Sequence, residues 1–332
     1  MSTLRDVARH AGVSVATASR VARGSVAVKP VTRERVERSM RELLYVPPGR
    51  IPATGVIGLL LPNFENPIFP TIAQALQART AASGYASILC TTESAAFREV
   101  EYVHMLLDRK VDGMIFVSCE MTNLSGEHDH YARLLEDGAR IVFVNGGLNT
   151  LDIPSVGVDE RSAAELASQH LMDLGHERIA FASGPEHYLP AREKEAGWRG
   201  ALAIRGFHAD GLIAHDDFDV EGGARAAKKL LARRDPPTAI ICSNDLMAIG
   251  VLQTAAHMGI KVPDDLSVVG FDGIEASSWT NPALTTVEQP IDEIAQTAVD
   301  TLRTLIENPR PLPNSYFRPN LRLRSSTAPP PK

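Results

Sequence analysis

The 332-residue chain, 44% hydrophobic and 22% charged, is longer than one hydrophobic core usually organises, so two or three ordered domains are expected rather than disorder. Its longest apolar run, around Val56–Leu61, is far short of the ~20 residues of a membrane span, and residues 1–6 lack the apolar core of a secretory signal. The net charge of −6 conceals an asymmetry: residues 1–50 hold ten Lys or Arg against four acids, a net +6, leaving −12 for the rest and placing any polyanion contact at the head.

Thr3 and Asp6 read as a capping box, and Leu4, Val7, Ala8 and Ala11 form one apolar face at helical spacing. Gly12 ends that helix, and Ser14 caps a second, with Val13, Ala18 and Val21 facing the first. Two short helices cross closely only over small side chains, and Ala8, Gly12 and Ala18 supply them. That pattern predicts a helix-turn-helix whose second helix enters a DNA major groove, with a plain helical bundle as the alternative. A third helix is expected over about 32–44, with Val36, Met40, Leu43 and Leu44 inward. Pro47, Pro48 and Pro52 then leave only Gly49–Ile51 between them, too few residues for a stable helical turn.

From Val56 onward, apolar runs alternate with amphipathic helical patterns. Strands are expected at 56–61, 86–91, 113–118 and 140–145, then at 178–183, 211–216, 239–244 and 266–271. Helices are expected around 72–83, 163–174 and 291–306. Buried strands alternating with helices predict doubly wound parallel sheets, and two such sets predict two lobes. The chain is expected to cross between lobes near 146–160, return near 273–290, and cross again near its C-terminus. The predicted fold class is therefore a small all-α head on an α/β body of two doubly wound lobes. Its expected boundaries are 1–46 for the head, 47–55 for a proline-rich linker, 56–325 for the body and 326–332 for a flexible tail. Ligands of such sheets sit beyond the carboxyl ends of the strands, here between the lobes.

Cys90, Cys119 and Cys242 lie far apart in apolar runs and read as buried thiols of a reducing compartment. His128 and His130 look faintly like a metal pair, but their polar, acidic surroundings read as a solvated loop. Neither a dinucleotide fingerprint, a P-loop nor a nucleophile elbow follows any predicted strand, which argues against catalysis. No metal or cofactor is expected.

The string DVARHAGVSVATASRVARG, followed by TRERVERSMRELLYVP, resembles the N-terminal signature of the lactose/galactose repressor (LacI/GalR) family. The resemblance continues through DGMIFV, HLMDLGHERIAFASGP, Ala196-Gly-Trp198, PTAIICSNDLMAIG, VPDDLSVVGFD and NPALTTVEQP. It implies a cytoplasmic, homodimeric transcription regulator of periplasmic-binding-protein-like architecture, most often a repressor, on a near-palindromic double-stranded DNA operator. The tail SSTAPPPK lacks leucine heptads, so a dimer is expected rather than a coiled-coil tetramer.

Carried over by position, the family's base-reading residues fall on Val15 and Ala16, with Arg20 one turn further on. Val15 and Ala16 donate no hydrogen bond and can read only shape or thymine methyls, which leaves Arg20 as the guanine-reading candidate. Ser14, Thr17 and Ser19 are candidates for phosphate contacts or caps. The family's hinge helix, with its intercalating leucine, is about one turn shorter here; Arg50 is the minor-groove candidate and Ile51 the wedge. Weak or absent central kinking of the operator is the expectation.

The family's ligand-contacting positions fall on Phe69, Asn145, Phe218, Asn244 and Asp272. Aromatic faces for stacking beside amides and a carboxylate for hydroxyls make a sugar-like set. The aromatics also read as ordinary core, and Asn244 and Asp272 as caps. Where the family usually places a clamping arginine, this chain has Lys194, with Arg192 two residues earlier and Tyr188 in the same loop. Lysine offers a point charge rather than a planar fork, which weakens bidentate recognition. A sugar or sugar derivative is the favoured effector; a nucleoside, a purine or a phosphorylated metabolite stays open. An enzyme and a secreted sugar-binding protein are the remote alternatives.

Overall fold

A computed structural model describes residues 2–22, 28–43, 45, 55–93, 96–148 and 150–331. The chain divides into two compact units, Met1–Thr54 and Gly55–Lys332.

The first unit has α1 (Leu4–His10), α2 (Val15–Ala22) and α3 (Pro30–Glu42). Thr3 caps α1 in a reciprocal box with Asp6, whose carboxylate accepts from Thr3 N at 2.8 Å. Gly12 takes φ +60°, a left-handed geometry that an L side chain resists, and turns the chain from α1 into α2. Val7, Ala8, Ala11, Ala18, Val21 and Val36 close a small core in which alanines permit the tight crossing. The third helix starts at Pro30, two residues before the expected Thr32, because proline in a first turn gives up a donor that has no partner there. Met40 and Leu43 pack against this core as expected, while Leu44 lies outside the described residues.

The second unit opens with β1 (Gly55–Leu61), α4 (Ile68–Ala82), β2 (Tyr85–Thr91), α5 (Ala96–Asp108), β3 (Gly113–Val117), α6 (Asp129–Glu136), β4 (Ile141–Val144) and β5 (Ser155–Val158). It continues through α7 (Glu160–Asp173), β6 (Ile179–Ser183), α8 (Leu189–Ile204), β7 (Ile213–His215), α9 (Val220–Leu231), β8 (Ala239–Cys242), α10 (Asp245–His257), β9 (Ser267–Asp272) and β10 (Thr285–Glu288). Then come α11 (Ile291–Glu307), β11 (Ser315–Phe317) and β12 (Asn320–Arg322).

Two six-stranded sheets result, ordered β11-β5-β4-β3-β1-β2 and β12-β10-β9-β8-β6-β7. Among the described strands, every pairing is parallel except β12 against β10. Strands such as β3 and β4 are buried along their whole length, as sheets covered by helices on both faces require. In the second lobe Trp198 is fully buried, stacks on Phe181 at 5.7 Å and donates Nε1–H to Ile179 O.

The chain passes between lobes three times: at Asp159 after β5, at Gln289–Pro290 after β10, and between β11 and β12. Strands β5, β10, β11 and β12 go beyond the predicted set, so each sheet gains two strands before or after a crossing. They are three or four residues long and carry no extended apolar run; β5 and most of β10 are buried between neighbouring strands, while β11 and β12 stand at sheet edges with no buried residue.

The expected flexible tail at 326–332 is corrected for its described part. Ser326 is fully buried; Val268 N donates to its carbonyl at 2.9 Å and Thr285 N to its hydroxyl at 2.8 Å. Ala328 N donates to Ser267 Oγ at 3.0 Å, and Ala328 O lies 2.8 Å from His176 Nε2. Small side chains let this strap lie against β9 and β10, where it satisfies edge groups that water would otherwise take. Among the described residues, no helix is long and apolar enough to cross a membrane.

Candidate functional site

Two sites emerge, one in each unit. In the head, Ser14, Val15, Ala16 and Arg20 are exposed, and Thr17 and Ser19 are half-buried. Ser14 Oγ accepts from Thr17 N at 3.1 Å and lies 2.9 Å from Thr17 Oγ1, so its hydroxyl acts as the cap of α2. Val15 is 44% exposed. Ala16 and Arg20 stand at i and i+4 on the same face of the helix. Arg50 and Ile51 lie outside the described residues.

In the body, a cleft of about 320 Å³ opens beyond the carboxyl ends of the strands of both sheets, at the lower end of the size range of small-molecule sites. Phe69, from the first turn of α4, stands on the first-lobe wall; Tyr188 and Phe218 stand on the second-lobe wall, their rings 5.8 Å apart edge to face. Gly184, just beyond β6, leaves the room that Phe218 fills: a Cβ there would collide with the ring.

Three strand-end residues lining the cleft, Ser118 and Asn145 of the first lobe and Asp272 of the second, have positive φ (46°, 52° and 109°), and none is glycine. Such backbone strain is retained where the surroundings over-determine it, commonly at binding sites. Asn145 and Asp272 are joined through Gln289: Asn145 Nδ2 donates to Gln289 Oε1 at 2.8 Å, and Gln289 Nε2 donates to Asp272 Oδ1 at 2.8 Å. Asn66 Nδ2 donates to the other carboxylate oxygen at 3.2 Å. Burial pushes the Asp272 carboxyl up to about 6, against the lowering effect of Lys194 and of the two amide donors. Beneath it Asp245, fully buried, accepts from Thr286 Oγ1 and Ile274 N and fixes the loop after β9.

Asn244 is a helix cap: its Oδ1 accepts from Met247 N, and its Nδ2 donates to Phe218 O, both at 2.8 Å. It still lines the cleft, with one amide hydrogen left over. Lys194 is 4% exposed, pairs with Glu160 at 2.7 Å, and sits 3.9 Å over the Phe271 ring. Arg192 is exposed and outside the cleft lining, so it does not take over the charge that the sequence offered it. The structure thus brings Phe69, Asn145, Tyr188, Lys194, Phe218, Asn244 and Asp272 together and leaves Arg192 out.

Sequence reasoning missed Asn66, Gln289 and Glu160. Asn66 was within reach, since it follows the first strand's carboxyl end. Gln289 and Glu160 were not, because they follow β10 and β5, which carry no strand signal of their own. The solvated-loop reading of His128 and His130 is also corrected. His128 Nε2 lies 3.0 Å from Glu120 O, while His130, in α6, packs on Tyr131 and lies 3.0 Å from the buried Glu99 carboxylate. Close by, Leu124 N donates to His187 O at 2.7 Å and ties the first lobe to the Tyr188 loop.

Residues 3–48 match the family model described as bacterial regulatory proteins, lacI family, and residues 168–327 match a periplasmic binding protein-like domain. An HTH-type transcriptional regulator encoded in the aml 5′ region of Streptomyces limosus is 41% identical over 98% of this chain and 94% of its own length. Among solved structures, the transcriptional regulator CelR in complex with cellobiose superposes with a TM-score of 0.75 at 29% identity, covering 98% of this chain and 100% of that one. The lac repressor dimer bound to operator and an anti-inducer superposes at 0.74 with 29% identity, over 98% and 99% of the two chains.

Proposed function

The chain belongs to the lacI family of bacterial regulatory proteins, and from that premise we propose a homodimeric transcriptional repressor whose cleft binds a sugar-like polyol. The observation that carries the effector class is the amide–carboxylate ladder Asn145–Gln289–Asp272–Asn66, set between Phe69 on one wall and Phe218 on the other. A sugar ring has an apolar face for an aromatic side chain and an edge of hydroxyls that both donate and accept. Asp272 and the side-chain carbonyls accept; the amide N–H groups donate. The similarity to a regulator solved with cellobiose supports the same class.

On DNA, each head reads a half-site through α2, so two-fold symmetry gives a near-palindromic operator, with Arg20 as the guanine reader and Val15 and Ala16 against groove surface or thymine methyls. Ligand in the cleft changes the relative orientation of the lobes, and operator and effector influence one another by a single reciprocal coupling energy, typically ~1–3 kcal/mol.

The experiment is a melting scan of the full chain against neutral sugars, sugar acids, sugar phosphates and nucleosides. A ligand at 100 times its Kd adds about 2.7 kcal/mol, which is readily seen. A shift with a neutral sugar that Asp272→Ala abolishes supports the reading. A shift with nucleosides alone, or with none of the panel, refutes the sugar class and leaves the DNA-binding head untouched.

A further inference from the structure

Among the described residues, the cleft lining carries five carboxylates, Glu65, Glu160, Asp217, Asp219 and Asp272, against a single cation, Lys194; Asp217 is paired with Arg225 at 2.8 Å, which leaves four carboxylates against that lysine. That cation is occupied from three sides. Glu160 holds it at 2.7 Å with both side chains largely buried, the Phe271 ring lies 3.9 Å beneath it, and Asp272 is close enough for Lys194 to be the chief influence lowering its pKa. An ammonium paired with one largely buried carboxylate, set over an aromatic face and drawn on by a second carboxylate has little positive field left for a ligand.

We infer that Glu160 is the residue that sets the charge class of the effector: by neutralising Lys194 it makes the cleft accept uncharged polyols and reject carboxylated or phosphorylated ones. The inference rests on the sugar-sensor reading and deepens it. An incoming anion meets an excess of negative charge, and bringing like charges together is unfavourable. A neutral hydroxyl meets no such barrier and finds Asp272 still free to accept. Discrimination of this kind works by exclusion, through the carboxylate that repels the wrong ligand as much as through contacts to the right one. Glu160 begins α7 immediately after the chain has crossed between lobes, and Asp159 before it caps that helix through Ser162 N, so its backbone is pinned at the cleft floor.

The test measures, by calorimetric titration of the full chain, four neutral sugars beside ring-preserving anionic partners: glucose and glucuronate, galactose and galacturonate, maltose and maltose 6′-phosphate, cellobiose and cellobiose 6′-phosphate. The expected result is binding of at least one neutral sugar with a ~100-fold or greater preference over its anionic partner. In Glu160→Gln, which keeps the shape and removes the charge, that preference falls ~10-fold or more as Lys194 becomes available to the anion. Comparable wild-type affinity for both members of the bound pair overturns the inference, as does an unchanged preference in a folded Glu160→Gln protein. Should that variant fail to fold, Glu160→Met, which also removes the charge at similar length, takes its place and is read in the same way. Binding of anionic sugars only overturns this inference while sparing the sugar-sensor reading; binding of none of the eight overturns both.

Discussion

Asn66 and Asp272, 206 residues apart in sequence, meet across the cleft in a 3.2 Å hydrogen bond that joins the loop after the first strand of one lobe to the end of β9 in the other. The second oxygen of the same carboxylate receives Gln289 from the crossing itself. One buried acid therefore collects a donor from the first lobe and a donor from the hinge, and its protonation state bears on how the lobes are held.

The pH dependence follows from the sign of the Asp272 shift. Its folded carboxyl titrates at about 6, above its ordinary value of 3.8, because burial disfavours the charge. The native state therefore binds the proton more tightly than the unfolded chain, and this residue's contribution favours folding below 3.8 and is lost as pH rises to about 6. Urea unfolding of Asp272→Asn and wild type is expected to show the variant gaining relative stability between about pH 4 and pH 7. Effector affinity runs the other way: below about pH 6 the protonated carboxyl accepts less well, so wild-type affinity falls on acidification. A flat difference between the two proteins across that range rules out the assignment.

Replacing Arg20 with alanine removes the one base-edge donor proposed on α2. Affinity for the specific operator is expected to fall by roughly 1–3 kcal/mol, with effector binding unaffected. Fluorescence anisotropy on specific and scrambled duplexes checks it, and equal losses on both would reassign Arg20 to the phosphate backbone.

Ser326→Ala removes a buried hydroxyl that donates to Val268 O at 2.6 Å and accepts from Thr285 N. Leaving the Thr285 amide and the Val268 carbonyl short of a partner is expected to destabilise the body by about 1–3 kcal/mol. Thermal denaturation of the full chain measures this; a change within about 0.5 kcal/mol, as at an ordinary surface position, would mean that the strap detaches freely.

Operator bending tests the proline-rich linker at 47–55. Three prolines leave no room for a helical turn, so circular-permutation gels are expected to show little bend between the half-sites. A strong bend centred there would mean that Ile51 or another side chain wedges the base step after all.

The head and the long strands were legible because their information is local: a capping box, a turn glycine and alanines at a helix crossing, then continuous apolar runs for the fully buried β3 and β4. Strand β10, with the sequence TTVE, has β-branched residues but is too short and too polar to stand out; β9 and β12 flank it and complete it as a strand. Gln289 inherits its place in the site from that non-local pairing. Asn145, Asn244 and Asp272 follow legible strands, but they were named through the family resemblance rather than through the strands. Lys194 lines the cleft, but the chain does not announce that Glu160, 34 positions earlier, lies 2.7 Å away. Charge compensation between helices belongs to packing, which periodicity does not report.

The three passages between the lobes make the sensor a mechanical linkage rather than a pair of jaws on a flexible thread. A single strand of chain would let one lobe swivel in any direction; three side by side leave bending about one axis as the soft motion. Two of the three passages carry binding-wall side chains at their margins, Glu160 just after the first and Gln289 within the second. Any bend at the joint would therefore re-aim those side chains, because the crossing backbone carries both.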